Sequence, residues 1–187
     1  MHKTASWLRS LVVIVAVVVL LTVLLFFAYR FYLRMAYPLK YQDTIAQYAT
    51  QFEISESLVY GVIHTESHFN VDAQSYAGAK GLMQITDTTF DWVLKLQGET
   101  TGDVFDADTN IRCGVRILQY LYGQLDDTET VLAAYNAGIG NVNKWLADEA
   151  YSNDGKTLHT IPFSETRAYV KIVLKAQKMY QTLYDIP

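Results

Sequence analysis

Ile63-His64-Thr65-Glu66-Ser67-His68-Phe69 is the stretch on which the reading of this chain turns. Just before it, Val59, Val62 and Ile63 recur at the i, i+3, i+4 spacing of one helix face. Three or four residues further on, that face reaches Glu66. A carboxylate therefore stands where the pattern asks for another apolar side chain. Burial raises a carboxyl pKa, and a helix C-terminus close by raises it further. A glutamic acid that stays protonated near neutral pH is what a general acid requires. The plainer alternative is a glutamate at the helix rim with its carboxylate in water.

The flanking composition divides the chain near residue 40. Residues 1–40 hold five basic residues (Lys3, Arg9, Arg30, Arg34, Lys40) and no acidic one. Residues 41–187 hold the other ten basic residues and all nineteen acidic ones. An acidic domain is a poor partner for nucleic acid, which is held mainly by Lys and Arg on phosphates. Cys113 is the single cysteine, so no internal disulfide and no cysteine-based metal site can form. Its place in Ile111-Arg112-Cys113-Gly114-Val115 suits a small core filler.

Leu11 to Ala28 is an apolar run interrupted only by Thr22, and with Tyr29 it is long enough to cross a bilayer. A cleaved signal peptide usually has a shorter apolar region followed by a small-x-small site. Here the run ends in Phe26-Phe27-Ala28-Tyr29-Arg30-Phe31, which favours an uncleaved anchor. Tyr29, Tyr32, Tyr37 and Tyr41, with Arg30 and Arg34, suit an interfacial belt. Lysine and arginine flank both ends, so the charge count does not fix orientation. The organisation expected is a cytoplasmic tail over 1–10, a transmembrane helix over 11–29, a juxtamembrane stem over 30–44 and a catalytic domain over 45–187.

Beyond the anchor the periodicity is helical almost throughout. Ile45, Ala46, Tyr48, Ala49 and Phe52 predict a short amphipathic helix, and Ser55 is placed to cap the helix that carries Glu66. Asn70 to Gly81 is a loop with Gly78 and Gly81 as breakers. Helices are expected over Leu82–Leu96, Asn110–Leu125, Thr130–Tyr135, Val142–Leu146 and Ser164–Tyr184, the last capped by Ser164. No run of alternating residues predicts a strand, so the fold class is mainly α.

Four motifs follow one another: Glu66-Ser67; Gly81-Leu82-Met83-Gln84; Ala134-Tyr135-Asn136-Ala137-Gly138; and Glu165-Thr166-Arg167-x-Tyr169-Val170. Asn110-Ile111 with Gly114 and Leu118 lies between the second and third. In this order and spacing they resemble the catalytic domain of the soluble-lytic-transglycosylase family, related in fold to goose-type lysozyme. The resemblance covers about residues 41–184. It implies a lysozyme-like helical domain that cleaves peptidoglycan between N-acetylmuramic acid and N-acetylglucosamine. It further implies that Glu66 is the single catalytic residue, protonating the leaving oxygen and then acting as base on the muramyl C6 hydroxyl to close a 1,6-anhydro ring. No cofactor is implied.

The resemblance also carries over substrate-binding positions: Ser75, Met83, Gln84, Tyr135, Asn136, Glu165 and Tyr169. Four of them have a plainer reading. Ser75 is equally a loop hydroxyl bonding its own backbone, and Met83 taken by itself reads as core packing. Asn136 is read rather as holding the turn into Gly138. Glu165 sits where the dipole of the last helix favours a carboxylate anyway. Phe69-Asn70-Val71 departs from the family, which often has Pro after the Phe-x of the first motif, and Lys80 replaces a frequent small polar residue. His64 and His68 have the i, i+4 spacing of a zinc helix, but Thr65 stands where that motif needs its glutamate, so no metal is expected.

The leading expectation is therefore a membrane-anchored enzyme on the extracytoplasmic side, where peptidoglycan lies, held to the bilayer through residues 11–29. Two others remain. A goose-type muramidase would hydrolyse the same bond and would need a water-positioning carboxylate, with Asp72 the nearest in sequence. A non-catalytic peptidoglycan-binding scaffold would have no need of a buried acid.

Overall fold

The computed structural model describes residues 2–187, with side chains described at Trp7 and from Leu11 onward. It divides into two compact units at Pro38. The first unit is a single helix, α1, His2–Ala36. It takes in residues expected as a tail and runs past Tyr29 through part of the expected stem; Met1 lies outside the described residues. Leu11–Ala36 is long and apolar enough to cross a membrane, and none of that span is buried within the protein. Thr22, its lone polar side chain in the apolar run, donates to the Val18 carbonyl at 2.9 Å, as a hydroxyl without water should. The helix stops just before Tyr37-Pro38, where proline disfavours the helical conformation of the residue ahead of it.

The second unit is built from seven helices: α2 (Gln42–Phe52), α3 (Glu56–Ser67), α4 (Asp87–Leu96), α5 (Ala107–Tyr122), α6 (Thr128–Ala137), α7 (Ile139–Leu146) and α8 (Ser164–Tyr184). Among the described residues there are no named strands, only two isolated bridges, Gln74–Lys80 and Lys80–Ile85.

The core forms around α3. Ser57 to Ile63 are all buried, so this helix is covered on every side rather than along one stripe. Its main partner is α8. Tyr60 stacks on Tyr180 with ring centroids 4.8 Å apart. Gly61 makes this approach possible: a Cβ there would lie 3.0 Å from the Val173 carbonyl oxygen and 3.1 Å from the Gln177 nitrogen, both main-chain atoms. The start of α3 is held by Ser55, which accepts from the Leu58 N–H, and by the chain's C-terminus, where Pro187 accepts from Ser57 N–H at 2.8 Å. Asp106 and Asp127 cap α5 and α6 in the same manner.

Two expectations need correction. Residues 81–86 are not helical; α4 begins only at Asp87. Gly81 and Gln84 take left-handed conformations (φ 75 and 49), and Lys80 and Ile85 exchange two backbone hydrogen bonds, which closes a tight turn. Ser164 is the first residue of α8 and not its cap; Phe163 holds the cap position and no side chain caps the helix.

Gly61→Val forces the new side chain into the α8 backbone. Overpacking of this kind costs about 1–3 kcal/mol. The variant should melt several degrees lower by circular dichroism; an unchanged midpoint would mean that α3 and α8 can part freely.

Candidate active site

Glu66 lies in the last turn of α3, just before the chain reverses through His68 and Phe69, both with positive φ (51 and 61). Left-handed non-glycine residues cost about 1–3 kcal/mol each and persist only where the surroundings fix them. Here Phe69 is 4% exposed, and its burial anchors the reversal. Ser67, buried beside it, donates from one hydroxyl to the carbonyls of Ile63 (3.2 Å) and Leu82 (2.8 Å). The end of α3 is thus tied to the 80–85 turn.

That turn is clamped from two further helices. Asn110 of α5 is fully buried; its oxygen accepts from Met83 N–H at 2.8 Å, and its amide donates to the carbonyls of Lys80 and Val104. Tyr135 of α6 donates to the Met83 carbonyl at 2.8 Å. Gly81 has to be glycine twice over, by its φ and because a Cβ would come within 2.2 Å of the Asn110 amide nitrogen. Lys80 points to Asp87, 2.7 Å away, in an exposed ion pair.

A cavity of about 530 Å3 opens at Glu66. Of the residues expected at the site, Glu66, Ser75, Gln84, Tyr135, Asn136 and Glu165 line it. Met83 and Tyr169 do not. Met83 is fully buried against Gly114, where its sulfur fills the space a Cβ would need. Tyr169 is 7% exposed, beneath the carboxyl of Glu66. Asp72 is exposed and is not among the lining residues either.

The lining side chains carry defined polarity. Gln84 spends both amide hydrogens on the carbonyls of Ala73 (3.1 Å) and Gly81 (2.9 Å), so its oxygen is the atom left to face a ligand. Ser75 accepts from Ala79 N–H at 3.0 Å while lining the cavity, so its hydroxyl proton is still available. Asn136 accepts from Thr166 at 2.8 Å and joins α6 to the start of α8; the turn at Ala137 is held instead by Asn141. Glu165, in the first turn of α8, is exposed. Sequence reasoning missed Tyr76, Ile85, Thr86, Thr89 and Ile117, which also line the cavity. Tyr76 and Ile85 adjoin Ser75 and Gln84, which were singled out; nothing in the spacing of α5 marked Ile117.

Burial dominates the electrostatics. It lifts the Glu66 pKa to about 7, against a smaller lowering by Tyr169. The Tyr169 hydroxyl has no well-formed hydrogen bond, so its effect on Glu66 is one of proximity. Both Tyr135 and Tyr169 are held well above the usual phenol range, first by burial and then by the Glu66 charge. They stay neutral donors at any physiological pH. Glu66 is poised to exchange a proton near neutrality, with both its forms well populated there. Among the described residues, no group of three or more His, Cys, Asp or Glu could hold a metal ion.

A raised carboxyl pKa means that the folded state favours the protonated form. The associated stability is present at acid pH and is lost as pH rises through about 7. Above that, the fold holds a desolvated carboxylate, a strain of roughly 3 kcal/mol for a shift of this size. Glu66→Gln should therefore gain stability relative to the native chain between about pH 5 and about pH 8.5. Denaturant melts at the two pH values check this; equal differences at both would mean the carboxyl is not desolvated.

Residues 43–158 match the transglycosylase SLT domain family. The chain is 37% identical over 156 residues to the soluble lytic murein transglycosylase of Escherichia coli K12, covering 80% of this chain and 24% of that protein. It is 33% identical over 171 residues to the membrane-bound lytic murein transglycosylase C of Mannheimia succiniciproducens, covering 76% of this chain and 47% of the other. Among solved structures it resembles the lytic transglycosylase Slt of Pseudomonas aeruginosa, in an inactive glutamate-to-glutamine mutant, with a TM-score of 0.72 at 29% identity over 83% of this chain and 26% of that one. It resembles the 70 kDa soluble lytic transglycosylase of Escherichia coli with a TM-score of 0.71 at 35% identity over 80% of this chain and 25% of that one. The chain thus spans about a quarter of the soluble relatives' length and about half of the membrane-bound one's. Motif order, helical architecture and these matches agree: the chain belongs to the transglycosylase SLT domain family.

Proposed function

We propose that this chain is a membrane-anchored peptidoglycan lytic transglycosylase. It cleaves the β-1,4 bond from N-acetylmuramic acid to N-acetylglucosamine and leaves 1,6-anhydromuramyl ends. The observation that carries the reading is Glu66: a half-buried carboxyl with a pKa lifted to about 7, opening on a cleft. A group that must first donate a proton and then take one back works best with a pKa near the working pH.

In this scheme protonated Glu66 gives its proton to the glycosidic oxygen as the bond to muramyl C1 breaks. The ionised Glu66 then accepts the proton of the C6 hydroxyl, whose oxygen bonds to C1. Atoms balance without water, and Glu66 ends protonated as it began. The hydroxyl is tethered, so its effective concentration far exceeds that of a free reactant. Gln84, Ser75 and Asn136 offer polar atoms to the sugars along the cleft.

The hydrolytic alternative needs a second carboxylate to hold water. Within the cleft that could only be Glu165, since Asp72 does not line it. Digestion of peptidoglycan in heavy-oxygen water separates the two: unlabelled anhydro ends are expected, whereas labelled reducing ends would mean hydrolysis. Glu66→Gln should lower the rate by at least about 10⁴-fold, the upper end for general acid–base catalysis. Glu165→Ala should cost far less, on the order of 1–3 kcal/mol for a lost sugar hydrogen bond. Equal inactivity of the two variants would give Glu165 a chemical role. A folded chain that binds peptidoglycan and never cleaves it would leave the scaffold reading standing.

The exposed apolar side chains of α1 from Leu11 onward support a membrane anchor, with the catalytic unit outside the cytoplasm because the substrate is there. Protease added to wall-stripped cells should digest the catalytic unit; full protection would overturn this orientation.

A further inference from the structure

The outer side of α8 takes no part in the chemistry at Glu66, yet its charge is organised. Tyr169, Val173, Ala176 and Tyr180 belong to its buried face. On the opposite side Arg167, Lys171, Lys175 and Lys178, spaced by four, four and three residues, form one exposed stripe. They are four of the ten basic residues in an otherwise acidic unit, and no acidic residue lies between Glu165 and Asp185. Among the described residues the ion pairs are Lys80–Asp87 and Arg112–Glu99, so none of the four is neutralised. Ile172, 52% exposed, flanks the stripe beside Lys175.

The N-terminal end of the stripe is shaped. A cavity of about 350 Å3 lies there, lined by Arg167, Lys171, His159, Thr160, Ile161 and Glu129 among others. Its two cations outnumber its single carboxylate. The Arg167 guanidinium is held in place by donating to the carbonyls of Ile161 (3.1 Å) and Pro162 (3.3 Å). Three of its five N–H groups remain for a ligand, in the fork geometry that suits a phosphate.

We propose that the basic stripe of α8 docks the catalytic unit on anionic phospholipid headgroups, with the cavity at Arg167 seating one headgroup phosphate. The inference rests on the reading of α1 as a membrane anchor. Charge complementarity calls for a polyanion, and the tether selects which one. With α1 in a bilayer, residues 37–41 alone join it to α2, a reach of roughly 20 Å. A lipid surface is then present at high effective concentration at all times. Clustered Lys and Arg on a helix are the side chains that hold such a surface, and the exposed Ile172 suits the headgroup boundary.

The test uses the full chain in lipid nanodiscs. Cys113 is buried, so Ile172→Cys offers a single accessible thiol for an environment-sensitive dye. The dye should emit further to the blue in discs containing phosphatidylglycerol than in discs of phosphatidylcholine alone. About 1 M salt, which screens charges beyond about 3 Å, should reverse the shift. Combining Lys171→Gln, Lys175→Gln and Lys178→Gln should lower the ratio of docked to free units about a hundredfold, at the strength each basic group has near an anionic leaflet. Combining Lys95→Gln, Lys144→Gln and Lys156→Gln removes as much charge elsewhere and should leave the shift in place. Equal emission in the two lipids would overturn the docking, as would equal loss in the two triple variants. A shift produced by soluble polyphosphate and not by anionic lipid would overturn the bilayer as the occupant. A chain that does not enter nanodiscs at all would overturn the anchor, and the docking with it.

Discussion

Everything in the catalytic unit depends on how closely α8 lies against α3. A helix covered on all sides must lie at the centre of its unit, and its ends are then the places where the core meets solvent. Gly61 removes the side chain that would hold α8 away, and Tyr60 and Tyr180 stack across the seam. Because α3 is a single helix of twelve residues, fixing its buried middle also fixes Glu66 in its last turn. The carboxyl is half in the core and half in the cleft. Its pKa of about 7 follows from that position, since desolvation is the larger cause and the Tyr169 hydroxyl only trims it.

The second constraint is the 80–85 turn. Ser67, Asn110 and Tyr135 reach it from α3, α5 and α6, and each bonds a main-chain group of the turn. Main-chain clamps of this kind hold Gln84 in a left-handed conformation that the residue would not adopt by itself. The strain has a use. It lets the Gln84 amide close on Ala73 and Gly81 while its oxygen is left for the cleft. The turn is therefore a rigid wall, better suited to positioning a sugar than a mobile loop would be.

Much of this was legible in the residues. The helices with strong periodicity, α3, α5 and α8, lie where the spacing of Val59, Ile63, Val115 and Leu118 puts them, and Ser55 caps α3 as its position predicts. The 81–86 segment was misread because Leu82, Met83 and Ile85 have apolar spacing that suits a helix, while the deciding facts are two left-handed residues and a buried asparagine 27 residues away. Met83 shows the same blindness at the scale of one side chain. Sequence places it beside Gln84, but alternation at the turn sends it into the core against Gly114. Tyr169 was placed in the cleft by the resemblance; one turn after the exposed Glu165, it is instead buried beneath Glu66. Ile117 belongs to a wall assembled from α4, α5 and α6, and no local pattern records such an assembly.

The arrangement of hydroxyls around Glu66 bears on how one acid would suffice in the proposed reaction. A second carboxylate close by would compete for the same proton and push the two pKa values apart, which suits a division into acid and nucleophile. Here the buried neighbours are phenols, Tyr135 and Tyr169, kept protonated first by burial and then by the Glu66 charge. They add polarity without adding charge. The exposed Glu165, at the start of α8, lies in solvent contact where its charge is screened. Glu66 changes protonation near neutral pH, and a single group that gives and retakes one proton matches the proposed ring closure within the sugar better than a reaction that must also activate a water.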